Sequence, residues 1–284
     1  MEATQSRKLE RWVTRLSRVE IPVLRHTADE LAMMRHNLDR VSVRQVANAV
    51  QNDPLMTCRL LVHVAEVRRG GSATHDIETT EHALLMIGVV RFLETFSEVV
   101  TVETMLAKRH EALLGALRVT KRSRAAARFA GDWAVFRNDL HVFEIGTAAL
   151  LHDIAELLAW IYAPDTMMQM DDYCRRFPRR RTADIQNEFF GFSFNELKVA
   201  LNRAWQTPSY LIDLMDDDQP SSHPSHATVR LAASLARHSQ RGWDDPAIPD
   251  DLCGVSELLR ISVPEVAARL GIEVPPSMSR SEQE

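Results

Sequence analysis

Four times in this chain a Ser or Thr is followed three places later by Glu or Gln at the head of an apolar stretch: Thr27-Ala-Asp-Glu30, Ser42-Val-Arg-Gln45, Ser193-Phe-Asn-Glu196 and Ser262-Val-Pro-Glu265. That spacing lets the hydroxyl and the Glu or Gln side chain satisfy each other's free backbone N–H groups, and it marks helix starts. Asp53-Pro54 marks another, with Asp as N-cap and Pro where a missing N–H is harmless. Between these markers apolar residues recur at helical spacing, and strand-like alternation is hard to find. Only 10 glycines punctuate the chain. The pattern predicts helices at 5–19, 23–37, 42–52, 54–68, 79–86, 89–107, 110–136, 142–161, 165–177, 181–190, 194–206 and 208–216. The class is all-α.

After residue 213 the composition turns polar, through Asp216-Asp-Asp-Gln-Pro-Ser-Ser-His-Pro224. Three further helices are predicted near 225–240, 252–259 and 263–270, so residues 214–284 read as a linker and a small helical C-terminal extension with a disordered end. No period of 20–50 residues repeats.

A net charge of −5 gives no bulk reason to expect a nucleic-acid or anionic-membrane binder. No apolar run nears the roughly 20 residues needed to span a bilayer, and the N-terminus lacks a secretory apolar region, so a cytoplasmic protein is expected. Cys58, Cys174 and Cys253 are too widely separated for a disulfide framework or a thiolate zinc site and read as packing residues. Trp133, Trp160 and Trp205 read as core anchors, and Met33, Met34, Met167, Met168 and Met170 as core filler. Two basic runs, Arg118, Lys121, Arg122, Arg124 and Arg128, then Arg175, Arg176, Arg179, Arg180 and Arg181, read as solvated helix faces that also suit phosphates or an acidic partner. Gly70-Gly71 reads as a flexible turn, since no Lys-Ser/Thr follows to form a phosphate loop. The helix before Gly271 is followed too soon by Pro275-Pro276 to open a helix-turn-helix, and no Gly-x-Ser-x-Gly elbow is present.

One stretch carries potential chemistry. In Ala149-Leu-Leu-His-Asp-Ile-Ala-Glu-Leu-Leu158 the adjacent His152 and Asp153 interrupt an apolar run. Successive helical residues point about 100° apart, so the pair reaches one metal ion only if other helices complete the shell with a third ligand or more. The competing reading is a pair of buried polar groups satisfied by hydrogen bonds.

Four blocks, residues 21–24 (Ile-Pro-Val-Leu), 42–61, 77–93 and 149–158, resemble in order and spacing the HDOD domain, an HD-related output domain of bacterial signal transduction. The most specific are Asn52-Asp-Pro-Leu-Met-Thr-Cys-Arg-Leu-Leu61 and Ala83-Leu-Leu-Met-Ile-Gly88. The resemblance covers about residues 14–213 and implies a multi-helix HD-like bundle. One departure is Val64-Ala65-Glu66, where the family has Ala-Asn-Ser.

HD phosphohydrolases bind metal through a first His, the His-Asp pair and a later Asp, with further histidines in two-metal versions. Carried over by position, the first His falls in Lys121-Arg122-Ser123, a later His falls at Asn195 before Trp205-Gln-Thr-Pro208, the His-His pair at Asp216-Asp217 or their neighbours, and the terminal Asp at Ala233. Only two ligands survive this count. The resemblance therefore implies a non-catalytic signalling module without metal or cofactor, acting on protein partners, in which His152-Asp153 is vestigial and Arg122 pairs with Asp153 in place of the first ligand. Two alternatives stand beside it. One is a metal-dependent phosphohydrolase or nucleotide phosphodiesterase drawing on His110, His141, His223 or His226. The other is a module binding a nucleotide second messenger or nucleic acid through its Arg clusters.

Overall fold

The structure is a computed structural model that describes residues 2–69, 79–219 and 223–273. The Gly70-Gly71 turn and the expected disordered end, residues 275–284, lie outside the described residues, as do 220–222 of the expected linker. In chain order the helices are α1 (Glu2–Leu16), α2 (Arg25–Arg35), α3 (Val43–Gln51), α4 (Pro54–Arg69), α5 (Thr80–Ile87), α6 (Val89–Thr95), α7 (Val102–Met105), α8 (His110–Phe136), α9 (Val142–Leu151), α10 (Ile154–Tyr162), α11 (Pro164–Arg176), α12 (Thr182–Phe189), α13 (Phe194–Trp205), α14 (Ser209–Met215), α15 (Pro224–His238), α16 (Ile248–Leu259) and α17 (Val263–Leu270).

Capping chemistry sets many of these starts. Ser42, Ser193 and Ser262 each form a complete capping box with Gln45, Glu196 and Glu265. Thr27 does not, and is buried inside α2. That helix begins at Arg25, with Leu24 in the N-cap position, because its N-terminus is capped from other parts of the chain: Leu24 N donates to Asp53 Oδ2 at 2.8 Å and Arg25 N to Glu103 Oε2 at 2.9 Å. Asp53 also caps its own helix, its Oδ1 accepting from the backbone N–H groups of Leu55 and Met56.

Two helices expected to be continuous are broken. The 89–107 segment divides at Phe96–Thr101, where Val23 N donates to Val100 O and Val102 N to Val23 O, a single parallel bridge. The β-branched run Val99-Val100-Thr101-Val102 favours that extended passage. The 142–161 segment bends at His152–Asp153, where the His152 N–H reaches back only three residues, to Ala149 O, and Asp153 leaves helical geometry. Side chains drawn toward several other elements supply the cause of the bend.

Two apolar clusters fill the interior. The smaller joins α2 to α6 through residues such as Val46, Met56, Leu84 and Phe92. The larger surrounds α8, which packs along α9 and α15. Trp133, Trp160 and Trp205 are all buried in it. Although the sequence places α15 to α17 in an extension, Val229, Leu235, Leu252 and Val266 belong to this same cluster. Of the expected packing residues, Met33 is 62% exposed on the outer face of α2 and Cys253 is exposed on α16, whereas Cys58, Met167 and Met170 are buried.

Candidate functional site: a buried ion-pair centre

The bend at His152–Asp153 lies where α8, α13, α15 and the segment after α14 converge. Each supplies a charged side chain. On α8, Arg122 follows Val119 and precedes Ala126 on the buried face, so its guanidinium enters the core and is not part of a solvated stripe. On α13, Lys198 sits among Phe194, Leu197, Leu201 and Trp205 and is 2% exposed. On α15, Arg237 lies one turn beyond Ala233.

Arg122 Nε donates to Asp153 Oδ2 at 2.5 Å and its Nη2 to Glu156 Oε2 at 2.5 Å. Arg237 Nη2 donates to the other Asp153 oxygen at 2.9 Å. His152 is held between two carboxylates, Nδ1 at 3.3 Å from Asp153 Oδ1 and Nε2 at 3.0 Å from Asp217 Oδ1. Lys198 Nζ lies 3.1 Å from Asp217 Oδ2 and 3.4 Å from His152 Nε2. The three cations and three carboxylates balance, as a buried cluster must if no charge is to be left uncompensated.

Burial alone would raise the Asp153 pKa, but Arg122, Arg237 and the His152 hydrogen bond outweigh it and hold the carboxyl well below its ordinary range. Burial opposes the Arg122 charge too, and Asp153 and Glu156 more than restore it. Asp217 is depressed against burial by His152 and Lys198. Lys198 itself is lowered: burial of its ammonium outweighs the help from Asp217.

Asn195, at the position of a later histidine, clamps the segment after α14. Its Nδ2 donates to Asp216 Oδ1 and Asp218 Oδ2, each at 2.9 Å, and its Oδ1 accepts from Asp217 N at 3.1 Å. His226 is buried, its Nε2 2.7 Å from Asp216 O, and His223 caps α15 by accepting from Ser225 N. His110 and His141 start α8 and precede α9 respectively, His141 beside Glu144 at 3.9 Å. None of these four shares a hydrogen bond or ion pair with the His152–Asp153 pair among the described residues.

The donor set does not fit a divalent ion. Around the pair stand a guanidinium 2.5 Å from Asp153 and an ammonium 3.4 Å from His152 Nε2, and cations repel a metal while occupying the lone pairs it needs. Among the described residues no group of three or more His, Cys, Asp or Glu is placed to hold one.

Lys198, Arg237 and Glu156 are the members that sequence reading missed. Lys198 carried a signal, a cation at an inward position of an apolar helical face, where Lys is almost never buried without a partner. Glu156 was readable as three residues after Asp153, on the same side of a helix. Arg237 had none, since its approach depends on how α15 crosses α8.

A cleft of about 880 Å³ opens onto the centre, lined by His152, Asp153 and Lys198 and widening toward Arg118, Asp171 and Arg241. No helix among the described residues is long and apolar enough to cross a membrane.

The HDOD domain matches residues 21–219 of the chain. No curated protein matches it. Among solved structures, the MmoQ response regulator from Methylococcus capsulatus is similar with a TM-score of 0.66 at 18% identity, over 90% of this chain and 100% of that one. A virulence factor from Campylobacter jejuni is similar with a TM-score of 0.66 at 16% identity, over 94% of this chain and 93% of that one. An HDOD domain protein from Geobacter sulfurreducens is similar with a TM-score of 0.51 at 16% identity, over 95% of both chains. At these identities the likeness is one of fold. The matched span and the all-helical architecture lead to one assignment: the chain belongs to the HDOD domain family.

Proposed function

We propose that this chain is a non-catalytic output module of cytoplasmic bacterial signal transduction, working through protein partners, and that its HD centre is a structural remnant. The observation that carries the reading is the Arg122 guanidinium lodged between Asp153 and Glu156, at the position where the resemblance places a metal-binding His. Metal-assisted hydrolysis needs an ion with several protein ligands and an open position for water. Here Asp153 is engaged by two arginines and a histidine, and the second His152 nitrogen by Asp217. The fold shared with a protein described as a response regulator agrees with a signalling role.

The test is elemental analysis of the purified full chain, combined with phosphatase and phosphodiesterase assays supplemented with manganese, iron or magnesium. Substoichiometric metal and no turnover are expected. Stoichiometric metal accompanied by turnover would overturn the reading in favour of a metal-dependent phosphohydrolase.

A further inference from the structure

The cleft has a side that the ion-pair centre does not use. Arg118, Lys121 and Arg122 follow one another at i, i+3 and i+4 on α8 and share a face. Arg237, His238 and Arg241 come from the end of α15 and the 3-10 turn Ser239–Arg241. Gln240 Nε2 donates to Arg118 O at 2.8 Å and ties the two groups together, and all six residues line the cleft.

Their charges are not equally engaged. Arg122 is committed to Asp153 and Glu156, and Arg118 lies 3.5 Å from Asp171. Arg237 spends one nitrogen on Asp153 and remains 45% exposed. Lys121 and Arg241 have no ion pair or side-chain hydrogen bond among the described residues. Most acids of the cleft are engaged: Asp217 with His152 and Lys198, Asp218 with Asn195, Asp171 with Arg118 and Arg175, Asp245 with the N–H of Ala247, while Asp244 has no such partner among the described residues. Open charge on the α8–α15 wall is therefore positive, in a protein whose net charge is −5.

The same wall holds an oriented histidine. His238 Nδ1 is 2.6 Å from Asp251 Oδ2, and the buried Asp251 carboxylate also accepts from Ser234 Oγ at 2.9 Å. The carboxylate fixes Nδ1 as the donor and leaves Nε2 for a ligand, the arrangement by which a second carboxylate aims an imidazole.

We propose that this wall binds a purine nucleoside phosphate, without hydrolysing it. Guanidinium and ammonium groups suit phosphate oxygens, and about 880 Å³ suits a molecule of nucleotide size. Asp244, also lining the cleft and without an ion pair or hydrogen bond among the described residues, offers an acceptor to the N–H edge of a purine and disfavours a long polyanion laid through the cleft. The absence of hydrolysis rests on the reading of the HD centre given above.

Isothermal titration of the full chain with GDP, and separately with pyrophosphate, tests the proposal. GDP is expected to bind more tightly than pyrophosphate, with affinity that falls as salt is raised. Lys121→Ala/Arg241→Ala should weaken GDP binding by roughly tenfold for each cation removed, and His238→Ala should weaken it further. Arg179→Ala, outside the cleft, should not. No GDP binding at millimolar concentration, or equal affinity in the double variant and the wild type, would overturn the site. Phosphorus NMR of the same samples separates the two readings: bound but intact GDP supports both, whereas turnover sinks the non-catalytic reading and leaves the binding site standing.

Discussion

Arg122 and Asp153 are 31 residues apart in sequence and meet through a 2.5 Å hydrogen bond inside the helical core, both less than a tenth exposed. The pair joins the long helix α8 to the bend between α9 and α10, and Glu156 extends it by one turn.

Removing the guanidinium while keeping its bulk, as in Arg122→Met, takes from Glu156 its arginine and leaves Asp153 with Arg237 as its remaining arginine. Breaking one side of a buried pair costs about 3–5 kcal/mol, because the abandoned charge stays buried. A loss near the lower end, about 3 kcal/mol, is expected here since Arg237 still reaches Asp153. Urea unfolding of the two proteins measures it. A loss below about 1 kcal/mol would mean that the centre does not hold these helices together. Arg122→His should gain no stoichiometric metal, because Lys198 still stands beside His152.

Stability should fall as the solution is acidified, and Asp153 gives the sign. Its folded pKa is well below the ordinary 3.8, so its contribution is fully present above the unfolded value and is lost as pH drops from about 4 through the folded value. Asp217 acts in the same direction. Asp53 acts in the opposite one, since burial raises its pKa despite backbone N–H bonds from Leu24 and Met56. Asp153→Asn should therefore be less stable than wild type at pH 7 and show a shallower loss between pH 5 and 2, read from thermal midpoints across that range. Parallel profiles would exclude Asp153 as a source of the acid sensitivity.

Two glycines of α8 test how tightly the core is filled. A Cβ on Gly115 would come within 2.6–2.7 Å of the Trp160 ring, whereas one on Gly131 meets nothing within 4 Å. Replacing a mid-helix Gly by Ala is worth roughly 0.5–1 kcal/mol where space allows. Gly131→Ala should therefore raise the thermal midpoint. Gly115→Ala should lower it, because overpacking a filled core costs typically 1–3 kcal/mol. Equal midpoints for the two variants would show that Trp160 can move aside.

The capping boxes at Ser42, Ser193 and Ser262 were legible because each is a local exchange of hydrogen bonds within four residues. Thr27 has the same spacing and is not a cap, since the Leu24 and Arg25 N–H groups find better acceptors in Asp53 and Glu103, 29 and 78 residues away. His152 and Asp153 stood out as polar residues in an apolar run, and the resemblance drew attention to Arg122. The bend at the pair was not legible, because it depends on side chains from α8, α15 and the segment after α14. Arg237 lies 84 residues from Asp153, and only the crossing of α15 over α8 brings it there.

Asp53 offers a clean measure of that longer-range capping. Its carboxylate accepts three backbone N–H groups, Leu24 at 2.8 Å, Leu55 at 2.9 Å and Met56 at 3.2 Å, and so fastens the start of α2 to the start of α4. An ordinary N-cap is worth about 1 kcal/mol, and the additional buried N–H left unpaired in Asp53→Ala adds about 1–3 kcal/mol. A loss of about 2–4 kcal/mol is expected, with faster amide exchange at Leu24 as its local signature. Unchanged exchange at Leu24 would show that the α2 start is held by Glu103 instead.

Lys198 should behave unlike Arg122, although both are buried cations. Its ammonium bears the full cost of burial, which lowers its pKa, while its partner Asp217 is 37% exposed and keeps His152. In Lys198→Met the lost ion pair is offset by relief of that desolvation, and the abandoned carboxylate has both water and an imidazole to turn to. Stability at pH 7 is expected to change by less than about 1 kcal/mol, or to rise. The pH dependence supplies a second readout. A lysine with a depressed folded pKa is a charged liability below that value, and the liability is relieved as pH climbs through it toward the unfolded 10.5. Wild-type stability should therefore gain relative to Lys198→Met between neutral and alkaline pH. A destabilisation as large as that of Arg122→Met would mean that Lys198, rather than Arg122, is the cation on which the centre depends.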